Sequence, residues 1–128
     1  MSNPRSYRLG DLQLRIMQVL WDQGAASVAE VQRALGSQAD LAYTTVATML
    51  RKMEERGLVS HRANGRRFIY AARIDAAAVT RSMADDLVDR VFSGSLADTV
   101  NHLLRTREVS AAELRQLERL ISERKKLP

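Results

Sequence analysis

Two strand-like runs, 58–62 (LVSHR) and 67–71 (RFIYA), flank the dipeptide Asn64-Gly65 in a sequence that otherwise reads as helix. Both residues of the dipeptide tolerate positive φ, so the segment predicts a tight β-hairpin. Arg62 precedes the turn, and Arg66 and Arg67 follow it, which makes the tip basic. Guanidinium groups at such a tip can reach phosphates or a minor groove. Any exposed hairpin can carry arginines, so the meaning of this one depends on its neighbours.

Three helical segments precede it. In residues 9–23, Leu12, Ile16, Val19 and Leu20 make one stripe, with Trp21 beside it as a core side chain. Gly10 or Asp11 suits the start of that helix and Gly24 its end. Ser27-x-x-Glu30 is a capping box that opens a second helix, with Val28, Val31, Ala34 and Leu35 on its apolar side. A polar turn at 36–40 leads to residues 41–57, LAYTTVATMLRKMEERG. There Ala42, Val46, Met49, Leu50 and Met53 fall on one stripe of helical period. Thr44, Thr45, Ala47, Thr48, Arg51, Lys52 and Glu55 stand on the other face, and no acid precedes Glu54. Small hydroxyls can approach base edges, while longer cations reach phosphates. Gly57 supplies the left-handed residue that ends a helix. Helix, turn and helix followed by a basic hairpin predict a winged helix-turn-helix domain, whose third helix enters the major groove.

After the hairpin, the absence of proline between Pro4 and Pro128 lets helices run unbroken. Asp75 caps a long one carrying Val79, Met83, Leu87, Val88, Val91 and Phe92, and Ser93-Gly94-Ser95 breaks it. Ser95 with Asp98 starts the next, striped by Leu96, Val100, Leu103 and Leu104. Ser110-x-x-Glu113 caps the last, with Leu114, Leu117, Leu120 and Ile121. Three short striped helices in about fifty residues bury too little surface to be a stable core alone. A second copy of the same region is the physical remedy. Val88, Val91, Phe92, Leu96, Val100, Leu103, Leu104, Leu114, Leu117 and Ile121 are the candidates for that homodimer contact. The alternative is that these helices fold back on their own chain. The predicted fold is mainly α with a small β-hairpin: a winged helix-turn-helix DNA-binding domain at 1–73 and a helical dimerisation domain at 74–128.

Charge supports this division. Residues 1–72 hold ten Lys/Arg against six Asp/Glu, and residues 73–128 hold ten against nine. The net +5 is therefore concentrated beside the candidate reading helix. The polar segment 1–8, with Arg5 and Arg8, reads as a mobile arm that could add phosphate contacts. Cysteine is absent, which excludes disulfides, thiolate metal sites and a cysteine nucleophile. With two histidines, no phosphate-binding glycine loop and no His-Glu-x-x-His pair, the chain is expected to be no enzyme and to bind no metal or cofactor. The acids Asp85, Asp86 and Asp89 read as a solvated helix face. No apolar run approaches a membrane span, so a cytoplasmic protein without stable membrane association is expected.

The segments LGDLQLRIMQVLW, LAYTTVATMLRKMEERGLV, NGRRFIYAA, FSGSLADTVNHLL and SAAELRQLERLI together resemble the BlaI/MecI group of penicillinase and methicillin-resistance repressors. The resemblance runs along nearly the whole chain. It implies a homodimeric transcriptional repressor on a two-fold symmetric DNA operator, silencing antibiotic-resistance genes. It also implies relief through a membrane sensor-protease pathway that leads to cleavage in the C-terminal helices. The similar stretch here surrounds residues 101–104, where no bond is assigned. A copper-responsive branch with a cysteine-rich tail does not match, since this chain has no Cys. Ala47 stands where some of the group carry a long polar or basic residue, and it offers apolar contact only.

Tyr43, Thr44, Thr45, Ala47 and Thr48 are the expected base-side residues, with Arg51, Lys52, Arg62, Asn64, Arg66 and Arg67 toward phosphates or the minor groove. Two other readings stay open: a winged-helix protein-interaction module, and a ligand-responsive regulator of unrelated genes.

Overall fold

A computed structural model describes residues 9–36 and 41–128. The expected arm at 1–8 and residues 37–40 of the polar turn lie outside the described residues. The described elements are α1 (Asp11–Gln23), β1 (Ala25–Ser27), α2 (Val28–Leu35), α3 (Tyr43–Glu55), β2 (Val59–Asn64), β3 (Arg67–Ala72), α4 (Ala76–Val91), α5 (Leu96–Thr106) and α6 (Ala111–Lys125). The chain is thus mainly α with one small antiparallel sheet, in strand order β1-β3-β2. Packing divides it into two compact units, one up to Asp85 and one of residues 86–128, and the division falls inside α4.

The first unit is built on the stripes of α1, α2 and α3. Ile16, Met17 and Leu20 of α1, Val28, Val31 and Leu35 of α2, and Val46, Leu50 and Met53 of α3 are buried in one cluster with Leu58, Val59 and Tyr70. Each such aliphatic side chain contributes roughly 1.5–3 kcal/mol by leaving water. Trp21 packs at the edge of the cluster, and its indole N–H donates to the Ile74 carbonyl at 2.9 Å. The Ser27 box forms in both directions: Glu30 N–H donates to Ser27 Oγ at 3.2 Å, and Ser27 N–H to Glu30 Oε1 at 2.9 Å. At the end of α3, Leu58 N–H donates to the Met53 carbonyl at 3.0 Å and Gly57 N–H to Glu54 at 2.9 Å. With Gly57 at φ 79° this is a Schellman close, and it turns the chain directly into β2.

The first helix starts at Asp11 with Gly10 as its N-cap, one of the two caps expected for it. Three details differ from the sequence reading. Ala42 is exposed, because it is the N-cap of α3 and has not yet joined the buried stripe. The hairpin turn is Gly65-Arg66 rather than Asn64-Gly65: Asn64 still pairs with Arg67, and only Gly65 takes positive φ, at 66°. Positive φ at the first central residue alone is the type II′ pattern, which needs glycine there and not asparagine. Finally, β1 was not foreseen. Three residues, Ala-Ala-Ser, carry too little alternation to signal a strand, and they become one by pairing Ala25, Ala26 and Ser27 with Ala71, Tyr70 and Ile69.

The second unit takes in the end of α4, α5 and α6. Ser93 (φ 52°) and Gly94 (φ 83°) close α4, with Gly94 N–H donating to the Val88 carbonyl at 2.9 Å. Ser95 and Ser110 cap the next two helices, accepting from Asp98 N–H at 3.0 Å and Glu113 N–H at 3.1 Å. Thr99 is buried and returns its hydroxyl to the Ser95 carbonyl at 2.8 Å. No side chain of α6 is fully buried.

Candidate nucleic-acid interface

The buried stripe of α3 decides which of its residues remain outside. Tyr43 (52% accessible), Thr44, Thr45, Arg51 and Lys52 are exposed. Thr48 is half-buried, and it lines a shallow open depression with Thr44, Thr45, Met49 and Lys52. Hydroxyls, a thioether and one cation therefore share one open surface. Ala47 is less available than its expected place on the outer face implies, since its methyl leans partly on the core. Its contact with a thymine methyl would be a grazing one.

Polar ties fix the helix in register. Gln32 Nε2 donates to the Leu41 carbonyl at 2.8 Å and so holds the start of α3 to α2. Gln13 of α1 reaches Met49 Sδ at 3.5 Å, while its Oε1 accepts from Arg56 Nη1 at 3.1 Å. A helix held at both ends presents one face reproducibly, and rigid placement is what groove reading requires.

The hairpin has two faces, as its register demands. His61 pairs with Tyr70 and Ala63 with Phe68, so these share one face; Arg62 pairs with Ile69 and Asn64 with Arg67 on the other. Arg62, Asn64, Arg66 and Arg67 are all exposed. They are not equivalent. Arg67 Nη2 sits 3.2 Å from Glu30 Oε1, tied to the capping box of α2. Arg62 and Arg66 pair with no acid among the described residues. Glu30 is held below its ordinary carboxyl value, chiefly by its hydrogen bonds with Ser27 and then by Arg67 and Arg33.

The sequence reading missed one contact. His61 Nδ1 lies 2.7 Å from Glu54 Oε1 and 2.9 Å from Oε2, joining β2 to α3. The His61 ring stacks on Phe68 with centroids 4.2 Å apart and tilts against Tyr70 at 5.5 Å. Burial pushes the Tyr70 hydroxyl up from its ordinary value, and the nearby Glu54 adds to the rise. The available signal was the seven-residue step from Glu54 to His61 across the Gly57 turn, which folds the chain back on itself.

In the second unit, Val91, Leu96, Leu103, Leu104, Leu114 and Ile121 are exposed, while Val88, Phe92, Val100 and Leu117 are half-buried. All ten expected contact residues thus keep accessible apolar surface. Among the described residues no group of His, Asp or Glu is placed to hold a metal, and no helix is long and apolar enough to cross a membrane.

Residues 9–123 match the penicillinase repressor family. The chain is 25% identical over 118 residues to the penicillinase repressor of Bacillus licheniformis, covering 92% of each. It is 34% identical over 120 residues to the transcriptional regulator BlaI of Mycobacterium tuberculosis, covering 91% of this chain and 84% of that one. The solution structure of the DNA-binding domain of the repressor BlaI superposes with a TM-score of 0.51 and 27% identity, over 57% of this chain and 89% of the other. The reduced form of MarR from E. coli superposes over 94% of this chain and 79% of its own, with a TM-score of 0.50 at 18% identity, a likeness of fold alone.

Proposed function

The chain belongs to the penicillinase repressor family, and on that premise we propose that it is a transcriptional repressor that binds an operator as a homodimer. The face of α3 is the observation that carries this reading: exposed hydroxyls and Lys52 around one depression, on a helix fixed by the buried Val46, Leu50 and Met53. Tyr43, Thr44, Thr45 and Thr48 meet base edges, with Ala47 at their margin. Arg51, Lys52, Arg62 and Arg66 neutralise phosphates, and Asn64 and Arg67 shape the wing beside them. Residues 1–73 form the DNA-binding domain and 74–128 the dimerisation domain, which joins two copies through the accessible stripes of α4, α5 and α6.

Two copies place two α3 helices on a palindrome with half-sites roughly 34 Å apart or a multiple of it. The regulated operon is of the antibiotic-resistance type, and repression ends when a membrane sensor-protease pathway leads to cleavage in the C-terminal helices. Cleavage there separates the two DNA-binding domains, and loss of bivalency lowers affinity with no change at α3. The repressor acts where the DNA is, in the cytoplasm, without cofactor or metal.

Fluorescence anisotropy with the gene's own upstream duplex tests the reading. Specific binding with a steep salt dependence, at two chains per site, is the expected result. Equal affinity for upstream and scrambled duplexes at every salt concentration would defeat it.

A further inference from the structure

Glu54 stands in the last turn of α3, where the backbone carbonyls already gather negative charge and an acid is unfavourable. Its position needs another explanation, and His61 supplies one. The imidazole Nδ1–H donates to both carboxyl oxygens, at 2.7 and 2.9 Å. From its other side the ring is stacked on Phe68 and braced by the buried Tyr70. His61 is therefore gripped between a carboxyl of the reading helix and two aromatic rings of the wing.

This grip sits low on the hairpin. At about 3.3 Å per residue, the Gly65-Arg66 turn lies roughly 13 Å beyond it, and a rocking of about 10° would carry the tip roughly 2 Å. A shift of that size breaks a charge-assisted hydrogen bond to a phosphate. The second strand has its own tie, Arg67 to Glu30, on the opposite face.

We propose that Glu54 and His61 are positioning residues for DNA binding, their bridge fixing the angle between reading helix and wing. The inference rests on the DNA-binding reading above. The bridge holds Arg62 and Arg66 where they meet phosphates, and neither Glu54 nor His61 touches DNA.

The full chain carrying Glu54→Ala or His61→Ala tests this in two measurements. Backbone nitrogen relaxation of the free protein reads the order of residues 62–66, which falls in both variants. Salt titration on the upstream duplex reads phosphate contacts. Affinity falls about tenfold, and the slope loses about one to two counterion units although every Lys and Arg remains. A Glu54→Gln, His61→Gln double variant keeps a side-chain hydrogen bond and restores most of both, which a merely destabilised fold would not do. It also serves if an alanine variant fails to fold. Unchanged wing order in both alanine variants overturns the proposal, and so does lost order with an unchanged salt slope. If the wild-type chain binds no duplex, the DNA-binding reading falls and the positioning role falls with it. The relaxation measurement still reports separately whether the bridge holds the wing.

Discussion

The two units use the same material in opposite ways. Both are built from helices with one apolar stripe, and α2, α5 and α6 each carry a serine at the N-cap. In the first, the stripes of α1, α2 and α3 converge with the sheet and leave Ile16, Val31, Val46 and Leu50 with no accessible surface. In the second, Leu96, Leu103, Leu114, Leu120 and Ile121 stay open, and α6 buries no side chain fully. The difference lies in closure. Three helices crossing over a hairpin enclose a volume, whereas the last helices offer stripes that a single chain does not cover. Exposed apolar stripes are what an association site offers, and on them rests our proposal that the second unit dimerises.

The largest expected effect follows directly from that contrast. Leu50→Ala removes a fully buried side chain and leaves a cavity, so unfolding in denaturant should show a loss of 2–5 kcal/mol, or roughly that. The combined Leu120→Ala, Ile121→Ala variant removes two side chains that are 54% and 55% accessible in the single chain. At dilutions where the chain is monomeric, its cost should stay near 0.5 kcal/mol or about that. At high concentration sedimentation should show weakened self-association. If the α6 variant lost as much stability as Leu50→Ala at every dilution, the stripe would be packed within its own chain and the contrast would collapse.

A second contrast separates the wing arginines. Arg66→Ala removes a cation that has no acid partner among the described residues, so duplex affinity should fall on all sequences and the salt slope by about one unit. Arg67→Ala breaks the tie to Glu30 instead. A larger slope change for Arg67 than for Arg66 would reverse these roles.

How much of this was legible follows the same division. Periodicity alone located the stripes of α2 and α3, since Val31, Val46, Leu50 and Met53 are buried where a helical repeat puts them. The serine caps were legible because a cap is a local bond between residues three apart. β1 was not, because its strand character comes from residues 69–71, far along the chain. Met17 is fully buried beside the predicted stripe, so the covered face of α1 is wider than a simple helical stripe predicts. At the candidate interface, exposure of Thr44, Thr45, Arg51 and Lys52 could be read from the stripe behind them. The half-burial of Ala47 and the Glu54–His61 bridge could not, for both depend on how tightly separate elements approach.

The smallest effect compares two caps with the same motif. Ser27 and Glu30 bond in both directions at a buried site, while at Ser110 the bond from Glu113 N–H is joined by no return bond in the cap. Ser27→Ala should therefore cost about 1–2 kcal/mol and Ser110→Ala about 0.5 kcal/mol, within the usual range for lost N-caps. Acid distinguishes them further. Glu30 is held below its ordinary value in the folded chain, so its contribution is full above the unfolded carboxyl value of about 4.3 and is lost as pH falls through the lower folded value. Stability measured from pH 6 downward should fall slightly more steeply in the wild type than in Ser27→Ala, because the variant loses the hydroxyl that helps to lower Glu30 and keeps the backbone N–H that lowers it most. Ser110→Ala should leave the acid limb unchanged. Parallel acid limbs in the wild type and Ser27→Ala would mean that Glu30 is set by the Ser27 backbone N–H and the nearby arginines rather than by the Ser27 hydroxyl.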